Sequence, residues 1–392
     1  MPDLGDPVIR EGRLGLFCNQ TAFDFSLGEY TFQTLAGYGS LKRLFVPEHG
    51  LFAELQDQVP LSDTKVYADL GLDADIVSLY AGPSESPGVQ REQLADLDAM
   101  VIDVQDVGCR CFTYTTSLGY LLERLAEYDI SIPVYIIDHP NPAGRQVEGI
   151  PLPGQYASFL GRTGLPHRHG LTIGELSCMI KEETAGRFEL KIIPYHQDPP
   201  ASDAALPPRT TWGIPPSPNM PGPLTPMVYS GQCLLEGTNV SEGRGTTRPF
   251  EIFGAPFLSW IVHQELPALF RGASLRPMRF VPTFHKYAGE ICHGFQIHLT
   301  GEPYHSLAHT LQIIRFIREG SGAEFRWREG SYEQGSDRTA IELLAGDEVL
   351  LAYLNGEAEW AEAQQALTEG EEAWIKRASE FLIYSPPLHR VS

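Results

Sequence analysis

Positive charge is scarce in this chain: 29 Lys and Arg stand against 50 Asp and Glu, a formal charge of −21 over 392 residues. Nucleic acid and anionic membranes are polyanions, so neither is expected as a partner. No apolar run reaches the roughly 18 residues that a membrane-spanning helix requires. The N-terminus, MPDLGDPVIREGRLGLFCNQ, has no basic segment followed by an apolar one, so it does not read as a signal peptide. A cytoplasmic location is expected, with export open for a chain whose N-terminus was trimmed. The six cysteines (Cys18, Cys109, Cys111, Cys178, Cys233, Cys292) form no Cys-x-x-Cys and mostly lie in apolar stretches. Buried free thiols are expected, rather than disulfides or a zinc knuckle. Four motifs are also missing: Gly-x-x-x-x-Gly-Lys-Ser/Thr, a strand leading into Gly-x-Gly-x-x-Gly, His-Glu-x-x-His and Gly-x-Ser-x-Gly. A bound nucleotide, a zincin-type metal site and a nucleophile elbow therefore gain no support, and neither a cofactor nor a metal is expected.

What is present is a soluble composition, with 42% hydrophobic and 20% charged residues. The length suits two domains. Short apolar runs alternate with helical spacing through the first half. Strands are expected at 13–21, 41–49, 75–80, 99–108 and 133–141, and helices at 31–39, 91–98 and 115–129. That alternation implies a parallel α/β sheet. Four of the strands end in polar residues: Asn19-Gln20-Thr21, Glu48-His49, Asp103 with Gln105 and Asp106, and Asp138-His139 with Asn141. Ligands of open parallel sheets sit outside the carboxyl ends of the strands, so four loaded ends together point to a site.

The stretch LKRLFVPEHGLF (41–52) carries the sharpest expectation. An apolar strand that stops at Pro47 delivers Glu48 to the mouth of a crevice. Partial desolvation there raises a carboxyl pKa toward general-acid use. A helix cap or an ion pair is the competing role for Glu48. Further on, a helix over 173–186 is capped by Thr172 with Glu175, and another strand spans 188–195. Residues 194–226 are dense in proline and read as packed, irregular chain lining a groove. In GTNVSEGRGTTRPF, Gly243 and Gly245 let the backbone turn around Arg244, whose guanidinium suits a carboxylate. Glu242 is the natural second carboxylate, with pairing to Arg244 or Arg248 as its competing role. After SLRPMRFVPTF the pattern changes to an alternating strand at 292–301 and amphipathic helices at 306–319 and 361–384. A metal hydrolase on His49, His139 and His169, or a cysteine nucleophile at Cys109 or Cys111, has weaker support from spacing.

The segments NQTAFD, LFVPEHGLF, DVQDVGCRCFTYTTSL, IIDHPNPAGRQVEG, RHGLTIGEL, PPSPNMP, CLLEGTNVSEGRGTTRPFEIFGAPF and CHGFQIHLT occur in an order that resembles the NamZ-type exo-β-N-acetylmuramidases, glycoside hydrolase family 171. The likeness runs from about residue 13 to about 385. It implies a Rossmann-like, mostly parallel sheet domain (1–275) followed by a smaller α+β domain (276–392) that closes a cleft. It also implies release of N-acetylmuramic acid from the non-reducing end of peptidoglycan fragments, with no cofactor. Glu48 falls on the family's catalytic motif, with Glu242 as base or stabilising carboxylate. The resemblance and the strand ends together make His49, Gln105, Asp106, Arg110, Asn141, His169, Asn239 and Arg244 the candidate substrate contacts. Arg244 or Arg110 is expected to meet the lactyl carboxylate. Two departures stand out. LFAELQDQVP lacks the arginine-glycine pair expected soon after Pro-Glu-His-Gly, and the export signal of many relatives is missing. A non-catalytic muropeptide-binding protein is the remaining alternative, and the sequence carries no sign of oligomeric state.

Overall fold

The computed structural model describes residues 6–80, 89–195, 213–263, 271–330, 332 and 337–391. Six strands form the central sheet: Leu14–Cys18, Leu41–Val46, Asp75–Ser78, Ala99–Asp103, Pro133–Ile137 and Glu189–Ile193. Numbered in chain order, they lie 3-2-1-4-5-6, and every neighbouring pair is parallel. This is the doubly wound Rossmann order, in which the direction of strand addition reverses beside the first strand.

Both faces of the sheet are covered, so successive residues of one strand enter different cores. Leu14, Leu16, Leu44, Val46, Ala99 and Val101 pack on one side with Phe32, Leu35 and Tyr67. Phe17, Phe45, Met100 and Ile102 pack on the other with Leu118, Leu121, Leu122 and Leu125 of the helix Tyr114–Glu127. The second core continues unbroken into the C-terminal half through Leu307, Leu311, Ile314, Leu354 and Trp374.

That half holds a three-stranded antiparallel sheet, ordered Ile252–Ala255, Cys292–Leu299, Ala273–Phe280. Helix Ser306–Ser321 packs on Thr225–Gln232 and Glu348–Asn355, and Trp360–Ala378 packs on Glu348–Asn355. The helix Ile173–Thr184 opens with the expected box, the Thr172 hydroxyl accepting from the Glu175 amide and Glu175 accepting from the Thr172 amide.

Three expectations are corrected. Residues 91–98 form a 3-10 turn, Arg91–Gln93, rather than a helix. So short a segment cannot offset helix nucleation, and the Asp98 amide already bonds to the carbonyl of Arg13, the residue just before the first strand. The strand expected over 99–108 stops at Asp103, because the Gln105 amide turns to the Thr21 hydroxyl at 3.0 Å instead of a neighbouring strand. The last helix ends at Ala378 and tightens into a 3-10 turn through Phe381. Of the proline-dense stretch, 196–212 lie outside the described residues. The part from 213 crosses the strand ends, where the Pro216 carbonyl accepts from Asn19 (3.0 Å) and Tyr114 (2.7 Å).

Candidate active site

Strand Leu41–Val46 lies next to the first strand, one position from the reversal point, and Pro47 ends it. Glu48 therefore stands at the carboxyl edge, where this topology binds ligands. Its side chain is nearly sealed, and the Thr113 hydroxyl donates to Oε2 at 2.5 Å. Burial pushes its carboxyl up to about 8 against that hydrogen bond, and the charges of Asp57 and Glu236 add to the rise. At neutral pH Glu48 carries a proton. His49 follows in a left-handed conformation (φ +74°), with Nδ1 3.0 Å from the Leu55 carbonyl. Burial, together with the charge of Arg244, lowers its pKa to about 4, so the ring is neutral.

A second group of charges acts on Glu48 from the C-terminal half. Gly243 (φ +82°) and Gly245 (φ +80°) bracket Arg244. A Cβ on Gly245 would stand 2.6 Å from the Phe284 carbonyl oxygen, so the turn needs glycine there. The Arg244 guanidinium lies 3.1 Å from Glu236, 3.3 Å from Glu242 and 3.9 Å from Asp57, over the Phe250 ring. Glu242 has no exposed surface. Lys286 holds its Oε2 at 2.8 Å, and His285 lies 3.2 Å from its Oε1. Against the cost of burial, Lys286, His285 and Arg244 keep Glu242 ionised, well below the usual carboxylate range. His285 also lies 3.5 Å from Asp57, and these two acids raise its pKa to about 9. Asp57 is held low against burial by His285 and Arg244, and its side chain remains 30% exposed. Glu236 differs. Burial outweighs Arg244 and raises its pKa, and Tyr332 donates to it at 2.6 Å.

Glu48, His49, Glu242 and Arg244 are thus brought together, while the remaining candidate contacts are engaged in holding backbone. Gln105 donates to the carbonyls of Asp106 (2.8 Å) and Pro140 (3.0 Å). Asp106 accepts from the Gly108 amide at 2.6 Å and lies 3.3 Å from His169. Arg110 is sealed and donates to the carbonyls of Leu343, Leu344 and Ala345. Asn141 bridges the Leu171 carbonyl and the Ala143 amide, and Asn239 bridges Glu324 and Arg326. His139 pairs with Asp103 at 2.7 Å. Among the described residues, His49, His139 and His169 do not gather into a metal-sized group.

Sequence reading missed Thr113, Asp57, Glu236, His285, Lys286 and Tyr332. They lie in loops or at element ends, where no periodicity marks an inward side chain. Asp57 had one signal: it falls in LFAELQDQVP, the stretch already noted as unusual.

A protonated carboxyl set near ionised carboxylates on a parallel sheet is the equipment of an acid-assisted glycoside hydrolase. The chain belongs to the NamZ exo-β-N-acetylmuramidase family: the N-terminal family model matches residues 14–223 and the C-terminal one residues 227–384. A peptidoglycan β-N-acetylmuramidase of Bacillus subtilis (strain 168) is 35% identical over 314 residues, covering 77% of this chain and 73% of that protein. Two solved structures of DUF1343 family proteins from Bacteroides fragilis share the fold. One has a TM-score of 0.75 at 23% identity, covering 96% of this chain and 94% of the other. The second has a TM-score of 0.68 at 25% identity, covering 97% and 96%.

Proposed function

We propose that this glycosidase hydrolyses the bond joining a terminal, non-reducing N-acetylmuramoyl residue to the next sugar of a peptidoglycan fragment, with Glu48 as general acid. The observation that carries this reading is the Glu48 carboxyl, protonated to about pH 8 at the strand edge. Thr113 engages Oε2, which leaves Oε1 to give its proton to the leaving glycosidic oxygen. Positive charge then develops at the anomeric carbon and needs a carboxylate on the other side. Glu242 is sealed, so its part is to fix Arg244, His285 and Lys286. Asp57 is ionised and still partly open. It is the group we place opposite Glu48, to stabilise that charge and activate a water or the sugar's own acetamido group.

The lactyl carboxylate finds a cation in Arg244. There Arg244, Lys286 and His285 face Asp57, Glu242 and Glu236, and burial raises the pKa of Glu236. Product analysis on MurNAc-GlcNAc tests the function. Free N-acetylmuramic acid and N-acetylglucosamine are expected in equal amounts, from the non-reducing end only. An intact disaccharide after prolonged incubation would support the binding-protein reading instead.

A further inference from the structure

Three sulfur atoms converge in a part of the molecule that the proposed chemistry does not use. Cys109 and Cys111 lie in the loop after strand Ala99–Asp103, and Cys233 opens the 3-10 turn Cys233–Gly237. All three are buried free thiols, and their Sγ atoms lie within 4.8 Å of one another. The local hydrogen bonds hold the frame: Cys233 Sγ donates to the Ser230 carbonyl at 3.7 Å, and the Tyr229 hydroxyl donates to the Cys111 carbonyl at 3.3 Å.

Three isolated thiols in a core are ordinary filler. Three that share one point, from segments far apart in the chain, are also a donor set. With zinc–sulfur bonds of about 2.3 Å, sulfurs around one tetrahedral ion sit roughly 3.8 Å apart, so a contraction of about 1 Å at most would bring all three within bonding distance of one ion. Soft thiolates select zinc(II) or copper(I) and refuse the hard oxygen-seeking ions. Three thiolates around a divalent ion leave one negative charge. Arg110, sealed in the chain between Cys109 and Cys111, is a permanent cation in the same loop.

We propose that Cys109, Cys111 and Cys233 bind one soft d10 cation, zinc(II) or copper(I), as a structural clasp. The clasp joins the two matched halves of the chain, since Cys109 and Cys111 fall in residues 14–223 and Cys233 in 227–384. It also sits behind both sides of the active site. Thr113, which holds Glu48, follows Cys111 closely, and Glu236, which holds Arg244, follows Cys233 on the same turn. The ion touches no substrate; it fixes the spacing between acid and cation. Because the sulfurs are sealed, it is taken up as the chain folds.

The test grows the full-length chain in zinc-supplemented and, separately, copper-supplemented medium and measures metal per desalted chain by elemental analysis. About one equivalent of zinc or of copper is expected, and which medium gives it identifies the ion. Cys111→Ala and Cys233→Ala should fall below about a tenth of an equivalent, while Cys178→Ala, outside the cluster, should retain the metal. Cobalt-grown wild-type protein should show a thiolate-to-metal charge-transfer absorption. Wild-type chain that carries neither ion after both growths, and no such absorption with cobalt, overturns the proposal even if the alanine variants fail to fold. Metal retained equally by Cys233→Ala overturns it as well.

Discussion

A carboxyl group in a pocket that water barely reaches keeps its proton, and at Glu48 this has two consequences that can be measured separately. In the proposed general-acid role the acid form is the working form, so kcat/KM on a chromogenic muramide should hold through neutral pH and fall as pH rises through about 8. Glu48→Gln should lower kcat by about 10²- to 10⁴-fold, the usual contribution of a general acid, and erase that alkaline limb. The folded-state pKa lies above the unfolded value, so the carboxyl's contribution to stability is full below about 4.5 and is lost as pH climbs to about 8. Glutamine has no charge to bury, so the Tm of Glu48→Gln at pH 8 should equal or exceed that of wild type. A lower Tm, or near-normal turnover, would remove Glu48 from the role. This residue was legible in the sequence because an apolar run ending in proline announces where its side chain goes. Glu242 was legible as a partner of Arg244, but its sealing was not. Burial there is set by Lys286 and His285, which arrive from a distant loop with no pattern of their own.

Elements were readable in proportion to their periodicity. The helix at 114–127 and the starts of the central-sheet strands fall within a residue or two of expectation, while the strands stop two to five residues earlier than expected. Strand Ala273–Phe280 escaped notice because Arg276, Pro277 and Arg279 interrupt it. It lies at the edge of its sheet, where a proline costs no ladder bond and charged side chains face water. The Ser241–Arg248 loop is the opposite case: its glycines were plain, and the turn they make is the one that presents Arg244. Removing that guanidinium tests the lactyl contact proposed for it. Arg244→Ala is expected to reduce kcat/KM on muramides at least tenfold more than on the matching glucosaminides, since a charged hydrogen bond is worth about 1.5–3 kcal/mol. An equal loss on both substrates would mean that Arg244 merely holds Glu236 and Glu242.

At the scale of the whole molecule, the order of the strands could not be read from their spacing. It follows from which apolar faces meet, and so does the join between the halves. That join includes a buried charge network. Glu148, with no exposed surface, pairs with Arg168 at 2.8 Å, accepts from the Leu307 amide at 2.9 Å and lies 3.3 Å from His305. His305 reaches on to Glu371 at 2.8 Å, and Arg390 closes the chain of charges at 3.0 Å. Against the cost of burial, Glu148 and Glu371 hold the His305 pKa up to about 9, while His305 and Arg168 hold that of Glu148 down to about 2. The two shifts bound stability on opposite sides. The histidine's contribution is complete below its unfolded pKa near 6.5 and is lost as pH rises through about 9. The glutamate's is complete above about 4.5 and is lost as pH falls through about 2. Their sum is greatest between about pH 4.5 and 6.5, and the alkaline limb is worth roughly 3 kcal/mol if the full histidine shift is realised. Thermal unfolding of wild type should therefore show a Tm that declines from pH 6.5 to 9. His305→Gln, which keeps a polar side chain but cannot titrate, should start lower at pH 6 and decline less over the same interval. An unchanged slope in His305→Gln would show that the fall belongs to other groups and that the imidazolium does not fasten the two halves together.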